Sequence, residues 1–147
     1  MVSFHITADR CFDGTGAAII SQPALRVAAG RIDAVKQGQV SQLPPADCRF
    51  DFPGCTILPG LIDTHVHLIF CAAQTNAAVV DQVGRESADQ LRDRALANAL
   101  AALRAGLTTL RDCGGKARIT QEVRDRINRG EGNWLDGPGD AGPRQAG

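Results

Sequence analysis

The sequence lacks any feature that would place the protein in a membrane or against a strongly charged partner. No stretch of the 147 residues stays apolar long enough to span a bilayer. The first ten residues lack the basic stretch and apolar core of a signal peptide, so we expect a cytoplasmic protein. Net charge is absent too, since 16 basic residues balance 16 acidic ones. We therefore expect neither nucleic acid nor a membrane as partner.

Cysteine pairs at the spacing of a metal or redox motif are also missing. The 5 cysteines form an odd set without a Cys-x-x-Cys pair, which argues against a disulfide framework and a zinc knuckle. We expect buried free thiols in a reducing compartment. Cys113, near the end of a predicted strand, is placed where a ligand or nucleophile would be useful, but a core thiol is the better interpretation there.

The most informative stretch that is present is an apolar run over residues 55–68. It predicts a buried strand, broken once by a Pro-Gly pair, with two of the three histidines at its far end. Side chains alternate along a strand, so His65 and His67 lie on one face, whereas a helix would separate them. Neutral imidazole is a common metal ligand, and two on one face can converge on one ion. Asp63 shares that face, where it would bond a ligand ring or touch the metal's shell.

A His-x-His pair by itself is weak evidence for a metal site. Most such histidines make ordinary hydrogen bonds on the surface or in the core. His5, the third histidine, belongs to a predicted strand far from this pair along the chain. We expect it to be a partly buried, structural histidine.

The residues around the pair are more specific. Residues 59–67, PGLIDTHVH, resemble the first barrel strand of the amidohydrolase superfamily, metal-dependent hydrolases built on a (β/α)8 barrel. Residues 105–115, AGLTTLRDCGG, resemble the second barrel strand at the expected distance downstream. Residues 12–16, FDGTG, are typical of the imidazolonepropionase-like and prolidase-like branch. The resemblance covers residues 1–131 and ends where a third apolar strand would be expected.

The resemblance implies an α/β fold in three parts. Residues 1–57 would form the N-terminal half of a small β-sandwich. Residues 58–130 would form the first two βα units of a (β/α)8 TIM-like barrel, which is incomplete because a whole barrel needs roughly 250 residues. Residues 131–147 form a Gly/Pro-rich tail that we expect to be disordered, because its composition cannot bury enough surface.

Local patterns predict the elements of the first part. A strand is predicted over residues 2–8 and a turn at residues 13–16. A hairpin pairs residues 24–29 with residues 32–36, and a loop follows to residue 47. A last strand over residues 49–52 is expected to end at a Pro-Gly pair.

Two helices are predicted in the second part. Residues 68–84 show little periodicity, and we expect a substrate loop there. Ser87 and Gln90 then form a capping box that begins a helix ended by Gly106. Its predicted core stripe consists of the leucines at steps of four and three: Leu96, Leu100, Leu103 and Leu107. After a strand over residues 107–111, the second helix has a stripe of Ile119, Val123 and Ile127 and ends at Gly130.

The resemblance also implies a metal site. His65 and His67 would hold a divalent metal, expected to be zinc, with Asp63 supporting them. In the family the metal activates water and polarises the scissile carbonyl, while later strands supply a lysine or glutamate, two histidines and an aspartate. No histidine follows His67 in this chain, so a complete site is not expected from one copy. We therefore assign no catalytic residue and no other cofactor-binding residue.

The function implied is metal-dependent hydrolysis of a non-peptide C–N bond, an amide or cyclic amide, or of a dipeptide-like bond in a small molecule. We expect this chain to be a truncated, inactive portion of such an enzyme. Alternatives are one subunit of a split barrel, or a small non-enzymatic metal-binding or structural module. Unpaired strand edges predict self-association or a complementing chain. Arg111 and Asp112 are either substrate contacts or a salt-bridged pair, and the sequence leaves both open.

Overall fold

The structure is a computed structural model that describes residues 2–38 and 40–131. The chain divides into two compact units, Met1–Pro59 and Gly60–Gly147. The described part is a mixed α/β structure, which confirms the α/β class predicted for it. Apart from Glu131, the predicted tail lies outside the described residues. Within the described part, no helix is long and apolar enough to cross a membrane.

The first unit is a five-stranded sheet arranged around β1. β1 pairs in parallel with β5 and antiparallel with β2 and β3, and β4 continues the sheet beside β3. The strands are β1 (Phe4–Cys11), β2 (Ile20–Ser21), β3 (Pro23–Ala28), β4 (Arg31–Gln37) and β5 (Cys48–Ile57).

The predicted turns of this unit are present, with the hairpin turn one residue earlier than the predicted Gly30-Arg31. The hairpin of β3 and β4 turns at Ala29 and Gly30, which both have positive φ, 51° and 73°. In the turn after β1, the Thr15 N–H donates to Asp13 Oδ1 over 2.9 Å, the usual way in which an aspartate closes a turn. The loop before β5 contains a short 3-10 helix, Val40–Gln42.

The prediction that β5 ends at Pro53 is wrong. The strand continues through Pro53 and Gly54 to Ile57, and the β1–β5 register shifts between Ala8 and Arg10. Gly54 has a φ of +77°, which lets the backbone absorb the irregularity. In the described part β5 pairs with β1 alone, and an edge strand tolerates a proline without a ladder N–H.

His5 has the structural role predicted for it. The residue is 9% exposed, and its Nε2 lies 2.9 Å from the Pro44 carbonyl oxygen. The expectation of buried thiols is only partly right. All 5 cysteines are free, but Cys11 alone is buried, whereas Cys48 and Cys55 on the edge strand β5 are exposed.

The second unit combines a pair of parallel strands with three helices. Its elements are β6 (Leu61–Val66), α1 (Asn76–Arg85), α2 (Ala88–Arg104), β7 (Leu107–Asp112) and α3 (Ile119–Asn128). β6 and β7 pair in parallel, as expected for strands joined by a helical crossover. The core consists of Ile69, Leu91, Ala95, Ile119 and Val123.

The predicted loop over residues 68–84 contains a helix, so that prediction is wrong for α1. The Thr75 side chain caps α1 by accepting the Ala78 N–H over 3.2 Å. Alanines in its first turn favour the helix through propensity. No residue of α1 is fully buried, but Val83 packs against the core. Val79 and Val83, four residues apart, were the apolar signal that the sequence prediction missed.

The prediction of a buried central strand is also wrong. Leu61 is 52% exposed and Ile62 66% exposed. Parallel strands are normally covered on both faces, but in the described part β6 pairs with β7 alone. Leu61 and Ile62, whose side chains point to opposite faces of β6, are both left open, whereas Val66 is partly buried.

The start and end of α2 are confirmed, but its core stripe is confirmed only at Leu96. The capping box of Ser87 and Gln90 has both reciprocal bonds, and Gly106 follows the helix with a φ of +90°. The buried residues of α2 are Leu91 and Ala95. Of the predicted leucines, Leu96 packs against the core. Leu100 and Leu103, together with Leu107 at the start of β7, instead line an open cavity of about 560 Å³ between α2, β7 and α3. In α3 the predicted stripe is confirmed, with Ile119 and Val123 buried and Ile127 packed against the core.

Candidate metal centre

The two histidines lie where β6 ends beside β7. Val66 is the last residue of β6 and pairs with Asp112, the last residue of β7. His65 is therefore within the strand, and His67 is the first residue beyond it. Since the two strands are parallel, both ends open on the same edge, and the segments that follow them meet there.

The structure brings the imidazoles of His65 and His67 together. Their ring centroids are 5.3 Å apart and their planes are inclined at 68°. Metal–nitrogen bonds of about 2.1 Å at a tetrahedral angle would put two coordinating rings roughly 5 Å apart, so the spacing fits one ion between them. His65 is exposed and His67 partly buried.

The ring of His67 is held by two neighbours. Its Nδ1 lies 2.8 Å from the carbonyl oxygen of Gly114. A carbonyl only accepts, so Nδ1 carries the proton in this bond and Nε2 keeps its lone pair. Phe70 stacks on the same ring, with centroids 4.6 Å apart and planes inclined at 19°. The imidazole is thus prepared to bind a metal through Nε2, in the way that metal-binding histidines are usually oriented.

Asp63 acts on the backbone beside the pair. Its Oδ1 accepts the N–H of His65 over 3.0 Å, which fixes the backbone that carries this imidazole. Among residues 2–38 and 40–131, no group of three or more His, Cys, Asp or Glu side chains is arranged to hold a metal ion. Two imidazoles of the described residues fit a divalent metal and would make up only part of its coordination shell.

Asp112 makes hydrogen bonds that neither of the two alternatives considered from the sequence had predicted. Its Oδ2 accepts the N–H of Leu68 over 2.9 Å, and its Oδ1 accepts the N–H of Gly114 over 2.9 Å. In the described part no ion pair joins it to Arg111. The carboxylate thus connects the segments that follow the two strands.

Asn98, on α2, holds the same loop from the helix side, and the sequence prediction missed it. Its Nδ2 donates to the carbonyls of Leu68, over 2.7 Å, and Phe70, over 3.0 Å, while Ile69 between them is fully buried. The sequence offered no signal for it, because Asn98 follows Ala95 by one turn on a face of α2 whose burial was itself not predicted. A polar side chain on such a face needs partners, which here are the carbonyls beside His67.

Cys113 lies in the segment after β7 and is partly buried. Its N–H donates to the Val66 carbonyl over 2.8 Å, and its Sγ lies 3.6 Å from the Thr64 carbonyl oxygen. These contacts tie the segment after β7 to β6. They agree with a structural thiol more than with a ligand or nucleophile.

Comparison with known proteins identifies the family. The model of the amidohydrolase family matches residues 56–129, half of the chain, including both histidines. The chain belongs to the amidohydrolase family. This confirms the resemblance of the two strand motifs, and amidohydrolases are generally metal-dependent.

Two kinds of relative show how much of an amidohydrolase this chain covers. The chain is 29% identical over 137 residues to an imidazolonepropionase of Mycolicibacterium smegmatis. The match covers 81% of this chain and 34% of that protein. A solved Xaa-Pro dipeptidase with bound methionine is 25% identical with a TM-score of 0.74, covering 89% of this chain and 31% of that chain. A solved molinate hydrolase is 24% identical with a TM-score of 0.74, and the match covers 90% of this chain and 28% of that chain. At this identity the match shows similarity of fold alone. This amidohydrolase-family chain thus spans about a third of the length of the relatives that it matches.

Proposed function

We propose that this chain supplies His65 and His67 as the first two ligands of a divalent-metal site in an amidohydrolase. The observation that carries the proposal is the paired imidazoles, 5.3 Å apart, with Nδ1 of His67 bonded to the Gly114 carbonyl. Zinc is the expected metal, since imidazole nitrogen is among its usual ligands.

The proposal assigns each segment of the chain to a part of the amidohydrolase fold. Residues 58–130 are the first two βα units of a (β/α)8 barrel, residues 1–57 are half of a small sandwich, and residues 131–147 are a tail. The parallel β6–β7 pair with its helical crossover supports the barrel assignment. The exposed apolar side chains of β6 support it too, because a complete barrel would cover them.

The reaction is hydrolysis of a C–N bond in a small amide, cyclic amide or dipeptide-like molecule. The relatives named imidazolonepropionase and Xaa-Pro dipeptidase support this substrate range. A bound metal would supply Lewis-acid polarisation and activation of water. The chain's own residues hold and orient: His65 and His67 bind the ion, Gly114 and Phe70 fix the His67 ring, and Asp63 supports the backbone of His65.

Turnover requires groups beyond the residues that the structure describes, because these contribute two imidazoles to the shell. We favour a chain that is an inactive portion of a larger amidohydrolase. A split barrel completed by a second polypeptide, or a small metal-binding module without catalysis, are the other candidates. A second polypeptide that restores hydrolysis when mixed with this chain would favour the split barrel.

Calorimetric titration with zinc tests the metal site. Wild type is expected to bind weakly, because three or four protein ligands are usual in a tight site. The His65→Ala/His67→Ala variant is expected to lose at least about tenfold in affinity, since removing even an outer partner of a ligand costs 10- to 100-fold. His5→Gln is the matched control and should bind like wild type, because His5 lies in the other unit. Equal zinc binding by all three proteins would contradict the proposal that His65 and His67 bind the metal.

An activity assay accompanies the titration. We expect no turnover above background of N-acyl amino acids, dipeptides or cyclic ureides with zinc or manganese present. Turnover by the 147-residue chain that disappears in His67→Ala would contradict the expectation that its site is incomplete. It would show that one chain, or an oligomer of it, assembles all the ligands.

A further inference from the structure

We propose that Asp112 is a positioning residue, whose carboxylate fixes the orientation and the tautomer of the His67 imidazole. The inference rests on the proposed role of His67 as a metal ligand. Asp112 lies at the end of β7, 44 residues from Leu68, whose N–H it accepts. Its effect on the ring passes through the backbone of Leu68 and Gly114.

A closed circuit of bonds carries the inference. The His67 Nδ1–H donates to the Gly114 carbonyl (2.8 Å), and the Gly114 N–H donates to Asp112 Oδ1 (2.9 Å). Asp112 Oδ2 accepts the N–H of Leu68 (2.9 Å), which is joined to His67 by the peptide bond. One carboxylate thus holds both the backbone that bears the imidazole and the residue whose carbonyl binds its ring.

Gly114 has a backbone conformation that suits glycine. Its φ of +143° lies in a region that residues with side chains rarely adopt, and no neighbouring atom would meet an added Cβ. The Gly114 N–H donates to Asp112, and the Gly114 carbonyl accepts from His67, so the first bond orients the residue that makes the second. Bonds to a carboxylate are stronger than bonds between neutral groups, so Asp112 suits this role.

Other bonds hold the same loop, which allows the role of Asp112 to be tested separately from folding. Asn98 binds the carbonyls of Leu68 and Phe70, and Cys113 N–H bonds the Val66 carbonyl. In Asp112→Asn the amide oxygen still accepts one N–H, but the NH₂ group accepts none. The substitution therefore removes one bond of the circuit and leaves these other anchors in place.

Nitrogen-15 NMR of the full chain tests the inference. At about pH 8, where an ordinary histidine is neutral, two-bond proton–nitrogen correlations report which ring nitrogen of His67 carries the proton. We expect Nδ1–H in wild type and a mixture with Nε2–H in Asp112→Asn, together with roughly tenfold weaker zinc binding. Asp13→Asn is the matched control, because Asp13 also accepts two bonds, from Thr15, in the other unit. It should change neither the His67 signal nor zinc affinity.

A folded Asp112→Asn protein in which His67 keeps the Nδ1–H form would overturn the inference. If that variant does not fold, amide hydrogen exchange in wild type decides: protected Leu68 and Gly114 amides support the circuit, and unprotected ones overturn it. The tautomer is measured without metal. Wild type that fails to bind zinc but shows Nδ1–H at His67, lost in Asp112→Asn, would reject the metal site and retain the positioning role.

Discussion

At the scale of single residues, the close approach of the chain before β6 to a side chain of β7 explains why residue 60 is a glycine. Gly60 precedes β6, and a Cβ added there would collide with the side chain of Thr108 on β7. Gly60 therefore lets the two strands meet at their start, where the Leu61 N–H donates to the Gly106 carbonyl over 2.9 Å. The sequence suggested a Pro-Gly break in a strand, but only the paired strands show what the glycine avoids.

Gly60→Ala should destabilise the second unit by about 1–3 kcal/mol, because the methyl group forces Thr108 or the strand to move. The matched control is Gly84→Ala in α1, where an added Cβ meets no atom within 4 Å. That control is expected to gain up to about 1 kcal/mol through helix propensity. Urea unfolding followed by circular dichroism measures both. Equal stability of Gly60→Ala and wild type would show that β6 and β7 are not as close as described.

At the scale of elements, the caps are local and the packing faces are not. The Ser87 side chain accepts the Gln90 N–H over 3.2 Å, and Gln90 Oε1 accepts the Ser87 N–H over 2.9 Å. Both partners lie within one turn, so the sequence was enough to predict them. The face that α2 buries depends on where Ile69 and α3 lie, and the leucine pattern did not reveal it.

Removing the cap tests the α2 start. Ser87→Ala should lower the free energy of unfolding by roughly 0.5–2 kcal/mol, because the N–H of Gln90 loses its partner. Ser87→Asp should retain most of the stability, since aspartate is also a good cap. Urea unfolding curves of the three proteins make the comparison. A Ser87→Ala curve that coincides with wild type would mean that this end of α2 frays and that its cap contributes nothing.

At the scale of the whole molecule, apolar surface is left open beside an unpaired strand edge. Within the described residues β6 pairs with β7 alone, and its Leu61 and Ile62 are more than half exposed. Exposed apolar strands with free edges favour pairing with another chain. A second copy of the chain can pair with this edge, so we expect self-association.

Size-exclusion chromatography with light scattering should show oligomers of the wild-type chain. Ile62→Lys should increase the monomer fraction several-fold, because a charge on β6 opposes edge pairing. Val80→Lys is the matched control, since Val80 is 70% exposed but lies on the helix α1. It should leave the distribution unchanged. A wild-type chain that elutes as a single sharp monomer would contradict the prediction.

The sequence by itself determined those features whose partners lie within a few residues. The capping box at Ser87, the turn at Gly30 and the stripe of α3 follow from local hydrogen bonds and helical periodicity. The alternation of a strand likewise predicted that the imidazoles of His65 and His67 would be neighbours. The family resemblance depended on the same short motifs and was confirmed.

Only the tertiary structure decided how the candidate site is held together. Gly114 reaches His67 across 47 residues, Asp112 reaches Leu68 across 44, and Asn98 reaches Leu68 across 30. Such partners are brought together by the parallel pairing of β6 and β7 and by the packing of α2. Neither periodicity nor propensity within a segment encodes a contact of that separation, because it forms only after the intervening chain has folded.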